Sequence, residues 1–255
     1  MRKCKRGAIV KITTVAVIFI IIHLLSVAYP RLLFPSVPEI AESLMRIFRT
    51  VGFYVDVATT FVRVLLSFVS VMISATALAV LSCRSELLSD VLSVLVSIIK
   101  STPFASLALI LFFFMKSGTI PIFIAFLFAF PIMYVSISDS FASRDADLES
   151  LCDVYGISGF RRLIFFYLPS LIPSVVTSSK VAFSMIIKVV ASSEILIYVK
   201  SGIGRNIEDA SLKFDSAALF AWTIVAILMC MISDVFFGML TKAVADAGFI
   251  RENSD

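Results

Sequence analysis

Long apolar runs separated by short polar interruptions dominate this chain. They occupy 12–29, 64–81, 87–115, 120–137, 174–198 and 217–233. A helix needs about 20 apolar residues to cross a hydrocarbon core about 30 Å thick, so each run predicts a membrane-spanning helix. The predicted fold class is an all-α integral membrane protein with about six transmembrane helices. Arg2, Lys3, Lys5, Arg6 and Lys11 precede the first run and place the N-terminus in the cytoplasm. A basic start, an apolar run and Ser26-Val27-Ala28 also describe a cleaved signal peptide; the length of the run argues for a retained helix. Six spans put both termini inside, and basic residues are in modest excess on that side. The chain then divides into an N-terminal transmembrane helix (1–29), an external amphipathic segment (30–56), a transmembrane core (57–245) with a cytoplasmic loop at 140–172, and a cytoplasmic tail (246–255). Within the external segment, Ser36-Val37-Pro38-Glu39 reads as a helix start, with Ile40, Leu44, Ile47 and Phe48 on one face. Arg63 sits at the outer end of its span, from which it can snorkel.

Two spans are interrupted by polar residues. Lys100-Ser101-Thr102-Pro103 breaks the third, because proline removes a backbone donor and a charge is costly in lipid. Lys100 and Pro103 then mark either a break facing a translocation path or a structural kink. The fifth span carries Lys180, Lys188 and Glu194. At about 100° per residue, with Lys180 at zero, Ser184 falls near 40°, Lys188 near 80° and Glu194 near −40°. These residues share an arc of about 120° and read as a path-lining stripe; the alternative is that Lys180 snorkels inward and Glu194 outward. Lys188 lies fourteen residues into the run that begins at Ser174, about 21 Å deep at 1.5 Å per residue. Residues 198–215 read as an outer loop containing Gly202 and Gly204.

The longest late polar interruption, 145–173, carries Asp145, Asp147, Glu149, Asp153, Arg161 and Arg162. It predicts a short helix over 147–155 with acids in its first turn. Gly156 ends that helix, and Pro169 and Pro173 mark the start of the next element. This loop resembles the cytoplasmic loop of permease subunits of binding-protein-dependent ABC importers, whose motif is Glu-Ala-Ala, three residues, Gly, nine residues, then Ile-x-Leu-Pro. Gly156 takes the glycine, and Leu168-Pro169 falls at the matching distance. Ser150 stands where Glu is expected, with Glu149 one place early; Leu151 and Cys152 replace the alanines, and Phe166 replaces the Ile. Downstream, Lys180, Glu194 and Ser201-Gly202-Ile203-Gly204 fall where the subfamily importing sulfonates, nitrate, taurine and vitamin precursors places a basic residue, a Glu and a Gly-Leu-Gly-like turn. Leu33-Phe34-Pro35-Ser36-Val37 is similar to that subfamily's Leu-Pro-Ser-Pro segment.

The resemblance implies a type I importer permease in a bacterial inner membrane. Its implied partners are a second copy of the permease, an ABC ATPase subunit and a periplasmic or lipid-anchored substrate-binding protein. The implied ATPase-coupling residues are Glu149, Ser150, Asp153, Gly156, Arg161, Arg162 and Pro169. Arg161 and Arg162 suit either the ATPase or anionic lipid heads. The external segment 30–56 is then an interfacial helix or a contact for the binding protein.

Composition narrows the chemistry. The chain is 60% hydrophobic, against roughly 45–50% for a soluble domain. Its single histidine and four cysteines without Cys-x-x-Cys spacing predict no metal site. There is no Gly-x-x-x-x-Gly-Lys-Ser/Thr run, so no catalytic residue or cofactor is expected in this chain, ATP is expected on the partner subunit, and no nucleic acid is expected. A secondary transporter or channel, or a non-transporting scaffold, remains the alternative class; co-purification of an ATPase separates them.

Overall fold

The structure, a computed structural model, describes residues 13, 34–83, 85–142 and 168–246. Residues 1–12, 14–33, 84, 143–167 and 247–255 lie outside the described residues. The described residues form eight helices and no strand: α1 (Val37–Phe48), α2 (Val51–Ser82), α3 (Glu86–Ser101), α4 (Phe104–Phe112), α5 (Ile120–Ala142), α6 (Leu168–Ile197), α7 (Ile203–Leu212) and α8 (Ser216–Asp246).

Local chemistry sets several boundaries. The α1 start is a capping box: Ser36 is the N-cap, and its backbone N–H donates to Glu39 at 2.8 Å. The Ser85 hydroxyl accepts from the Leu88 N–H at the start of α3. Thr102 and Pro103 lie extended between α3 and α4, as a residue before proline and proline itself favour. The two helices meet there at 96°. α6 accepts Pro169 in its first turn, where a missing N–H costs no intrahelical bond.

Among the described residues, α2, α5 and α8 are each long and apolar enough to cross a membrane, and the bent α3–α4 pair adds a fourth crossing if it is one span. α6 has 30 residues, about 45 Å at 1.5 Å per residue, but carries Lys180, Lys188 and Glu194.

The core is a three-helix seam. α5 packs most extensively on α6, then on α2, and α8 covers α6. Fully buried ridges recur at helical spacing: Val64, Val71, Ala75 and Ala79 on α2; Ile120, Ile124, Met133 and Ile137 on α5; Ala182, Ile186 and Val190 on α6. The alanines let the helices approach closely where no hydrophobic drive from water brings them together. Phe68, Phe183 and Phe237 close the α2–α6–α8 junction, with ring centroids 5.1–5.8 Å apart. Toward the start of α6, the Ser140 and Ser174 hydroxyls pair across α5 and α6.

One element departs from the sequence expectation. The stretch 198–215 reads as a loop, yet it holds α7. Glycine at both Gly202 and Gly204 lowers local helix propensity, but burial of Ile203, Gly204 and Ala210 and capping from other helices override it.

Candidate functional site

Polar groups gather in two places, one closed and one open. The closed cluster joins α2, α6 and the turn into α7. The first turn of any helix leaves backbone N–H groups without intrahelical partners. Here three successive ones are taken by side chains from other helices. Gly202 N–H donates to Asp56 Oδ1 at 3.0 Å, Ile203 N–H to Thr60 Oγ1 at 2.8 Å, and Gly204 N–H to Glu194 Oε2 at 2.9 Å. Asn206 Nδ2 donates to Asp56 Oδ2 at 2.8 Å. Carboxylates at this helix end are also favoured by the helix dipole.

Glu194 is the centre of the cluster and is fully buried. Its carboxylate accepts from Arg63 Nη1 at 2.6 Å and from the Thr60 hydroxyl at 2.9–3.0 Å. Arg63 Nη1 also donates to the Ser201 carbonyl at 2.7 Å. Arg63 therefore does not snorkel outward, as its position in the sequence suggests. It turns inward because α6 presents an acid at the same depth. The glycines are part of this geometry. Gly202 has φ +141°, and a Cβ there would meet the Glu194 carboxyl at 2.6 Å. At Gly204 a Cβ would lie 2.3 Å from the Ala191 carbonyl oxygen. On another face of α7, the half-buried Arg205 stacks over Tyr198 at 4.5 Å and pairs with Asp209 at 2.9 Å. Burial pushes the nearby Glu208 carboxyl above its ordinary range; Arg205 opposes the rise and Asp209 adds to it.

The open cluster lies on another face of α6. Lys180 and Lys188 are exposed, and Ser184 between them donates to Asp234 Oδ1 of α8 at 2.7 Å. These four residues, with Ile132 and Met185, line a recess of about 320 Å³. Lys188 also lines a second, mostly apolar recess of about 210 Å³, with Phe104, Phe128, Val189 and Ser192. Neither lysine makes a hydrogen bond or salt bridge among the described residues.

The structure thus brings Lys180, Ser184 and Lys188 together and sets Glu194 apart. The ridge Ala182–Ile186–Val190 continues into Glu194 and faces the seam. About 120° away on the helix, Lys188 faces the opening. A single arc of that width spans two environments. Lys100 is exposed at the end of α3, and Pro103 is exposed at the bend; neither lines a recess described above, although the next residue, Phe104, does. Of the loop residues, Glu149, Ser150, Asp153, Gly156, Arg161 and Arg162 lie outside the described residues, and Pro169 is described only as part of the α6 backbone.

Sequence reasoning does not single out Asp56, Thr60, Arg63 and Asp234 as site residues. Asp56, Thr60 and Arg63 are spaced i, i+4 and i+7, one face of a helix, and that spacing is the available signal.

Residues 72–246 match the family described as binding-protein-dependent transport system inner membrane component. The chain belongs to this family. It is the permease subunit of an ABC importer, a multi-pass membrane protein with the type I fold. Among solved structures, the permease is similar to a chain of the MetNI methionine ABC transporter in an inward-facing conformation, in its CY5 native crystal form. The TM-score is 0.60 at 16% identity, over 82% of this chain and 95% of that one. A chain from the selenomethionine-soaked CY5 form matches with a TM-score of 0.61 at 15% identity, over 82% of this chain and 99% of that one. No curated protein matches significantly. The matched family region contains both recesses and the Glu194 half of the buried cluster; the Asp56, Thr60 and Arg63 half precedes it.

Proposed function

We propose that the open face of α6 lines the solute path of the importer and that the 145–173 loop couples this path to a separate ABC ATPase. The observation that carries the reading is Lys188. It lies fourteen residues past Ser174, about 21 Å along α6, and is exposed there. A cation at such depth needs a partner, water or an anionic solute, and a recess on a path supplies the last two. A second copy of the permease completes the path, and a periplasmic or lipid-anchored binding protein delivers the solute. The setting is a bacterial inner membrane with both termini cytoplasmic. The solute belongs to the sulfonate, nitrate, taurine or vitamin-precursor group that the motif pattern resembles. The chain has no P-loop, so the energy enters through the loop, which moves as a rigid unit with the ATPase.

Lys188→Met tests the path. The assembled complex should remain intact, while uptake, or the coupling of ATP hydrolysis to solute, changes. Unaltered uptake and coupling would make Lys188 a structural residue. Gly156→Val tests the loop. A β-branched residue should not close the short helix expected over 147–155 as glycine does, so transport should be lost while the permease still reaches the membrane. Normal uptake by that variant would remove the loop from the mechanism.

A further inference from the structure

We propose that α4 is a hinged gate of the solute path and that Phe104 is its closing residue. The inference rests on the reading of the open α6 face as the path. Its own basis is how the break before α4 is built and how lightly α4 is held.

The break is completed on its α3 side. Pro103 has no N–H, so one backbone bond into the last turn of α3 is missing. Two hydroxyls take over the carbonyls there. Ser101 Oγ donates to the Ser97 and Ile98 carbonyls at 2.9 and 3.0 Å, and Thr102 Oγ1 donates to the Ile98 carbonyl at 2.7 Å. The Thr102 N–H donates to the Ile99 carbonyl at 3.2 Å. Hydroxyls that stand in for absent backbone donors let a broken helix persist at membrane depth. All these bonds close back onto α3. The first bond of the α4 turn, from Leu107 N–H to the Pro103 carbonyl at 3.2 Å, lies on the other side. Rotation about the Thr102 Cα–C bond breaks none of them. A residue that absorbs a dihedral change without losing bonds is what a hinge needs.

α4 is held by little. Ala108 alone of its nine residues is buried, while Leu109, Ile110 and Phe112 are exposed. Elements with few buried apolar contacts are the ones that open first. The other hold is the Phe104 ring, edge-on to Phe128 of α5 with centroids 5.9 Å apart. Phe104 is also the α4 side chain in the recess lined by Phe128, Met185, Lys188, Val189 and Ser192. The ring pair is therefore both a latch and a wall. While it is made, the ring narrows the way to Lys188; when α4 swings, the ring leaves with it. An apolar constriction of this kind controls passage by excluding water.

The test uses the permease assembled with its ATPase subunit in lipid nanodiscs. It reads acetylation of Lys188 by a water-soluble N-hydroxysulfosuccinimide ester, through mass spectrometry of the Lys188 peptide. Adding a non-hydrolysable ATP analogue shifts the gate population, so the rate in the parent should change about tenfold. Phe104→Ala removes the closing ring, and Lys188 should then react at the faster rate with or without nucleotide. Phe104→Leu, which keeps an apolar side chain at the latch, should restore most of the change. Pro103→Ala lets α3 run on toward α4 and should erase most of the change. Phe112→Ala, on the exposed face of the same helix, should behave as the parent. A change that survives Phe104→Ala or Pro103→Ala would overturn the hinged gate while leaving the path reading in place. So would a parent whose Lys188 is acetylated at one rate in both nucleotide states, or a loss of the change in Phe112→Ala or Phe104→Leu as complete as in Phe104→Ala. A Lys188 that resists the reagent in every variant and nucleotide state would overturn both.

Discussion

Gly204→Ala is expected to prevent assembly of a stable permease. A Cβ at this position would lie 2.3 Å from the Ala191 carbonyl oxygen, 2.5 Å from the Glu194 Cβ and 3.0 Å from the Ile195 N. Two of these atoms are backbone of α6, so no side-chain rotation relieves the overlap. α7 would have to lift away from α6. That lift stretches the Gly204 N–H bond to Glu194 and the neighbouring bonds from Ile203 to Thr60 and from Gly202 to Asp56. Overpacking alone costs about 1–3 kcal/mol, sometimes more, and each buried polar group left unsatisfied adds about 1–3 kcal/mol. The expected readout is loss of monodisperse protein after extraction, or a large fall in midpoint temperature. Gly52→Ala is the control, since nothing lies within 4 Å of its Cβ position, and it should behave as the parent. A Gly204→Ala protein as stable as Gly52→Ala would mean that α7 is not clamped to α6 as described.

The two clusters are legible in the sequence to different degrees, and the reason is physical. Features that depend on neighbours in the chain are readable. The Ser36–Glu39 helix start and the break at 101–103 follow from capping chemistry and from proline's effect on the residue before it. The angular separation of Lys188 and Glu194 also follows from helix geometry. Which of the two faces the seam does not, because that depends on what α2 presents at the same depth. Arg63 shows the same limit. An arginine near the end of a span satisfies a snorkelling reading as well as a buried pair, and only the approach of α6 decides between them. α7 escapes the sequence pattern because its stability is supplied from outside: its first N–H groups are capped by residues up to 146 positions away. Asp234 sits just past the last apolar run, 217–233, and its bond to Ser184, fifty positions earlier, depends on how α8 crosses α6.

The contrast between the clusters also bears on motion. An alternating path needs some elements to move together and others to separate. At the α7 end, α2, α6 and α7 are tied by at least five hydrogen bonds of 2.6–3.0 Å, so they are expected to move as one body. The α3–α4 bend rests on fewer contacts with α5 and α6 and carries Phe104 at the recess. Rigid-body switching of this kind relies on packed units with discrete arrangements.

Arg63→Met and Glu194→Gln should each be strongly destabilising, and the double variant should be much milder than their sum. In Arg63→Met, the Glu194 carboxylate stays buried with only Thr60 and Gly204 donating to it, and Ser201 loses its donor. In Glu194→Gln, the amide oxygen still accepts from Gly204, but the Arg63 guanidinium is left charged beside a neutral group. Breaking a buried pair by removing one partner costs about 3–5 kcal/mol, largely because the other charge remains. The double variant removes both charges while keeping an acceptor for the Gly204 N–H and side chains of similar length. Residues in one hydrogen-bonded network couple by about 0.5–3 kcal/mol, and the buried position of Glu194 places this pair at the upper end. Thermal unfolding of the four proteins in the same detergent measures the coupling. Proteolysis within α7 supplies a local readout, since the single variants should expose 203–212 and the double variant should protect it again. Additive losses in the double variant would show that Arg63 and Glu194 act independently, and the closed cluster would then not be a single lock.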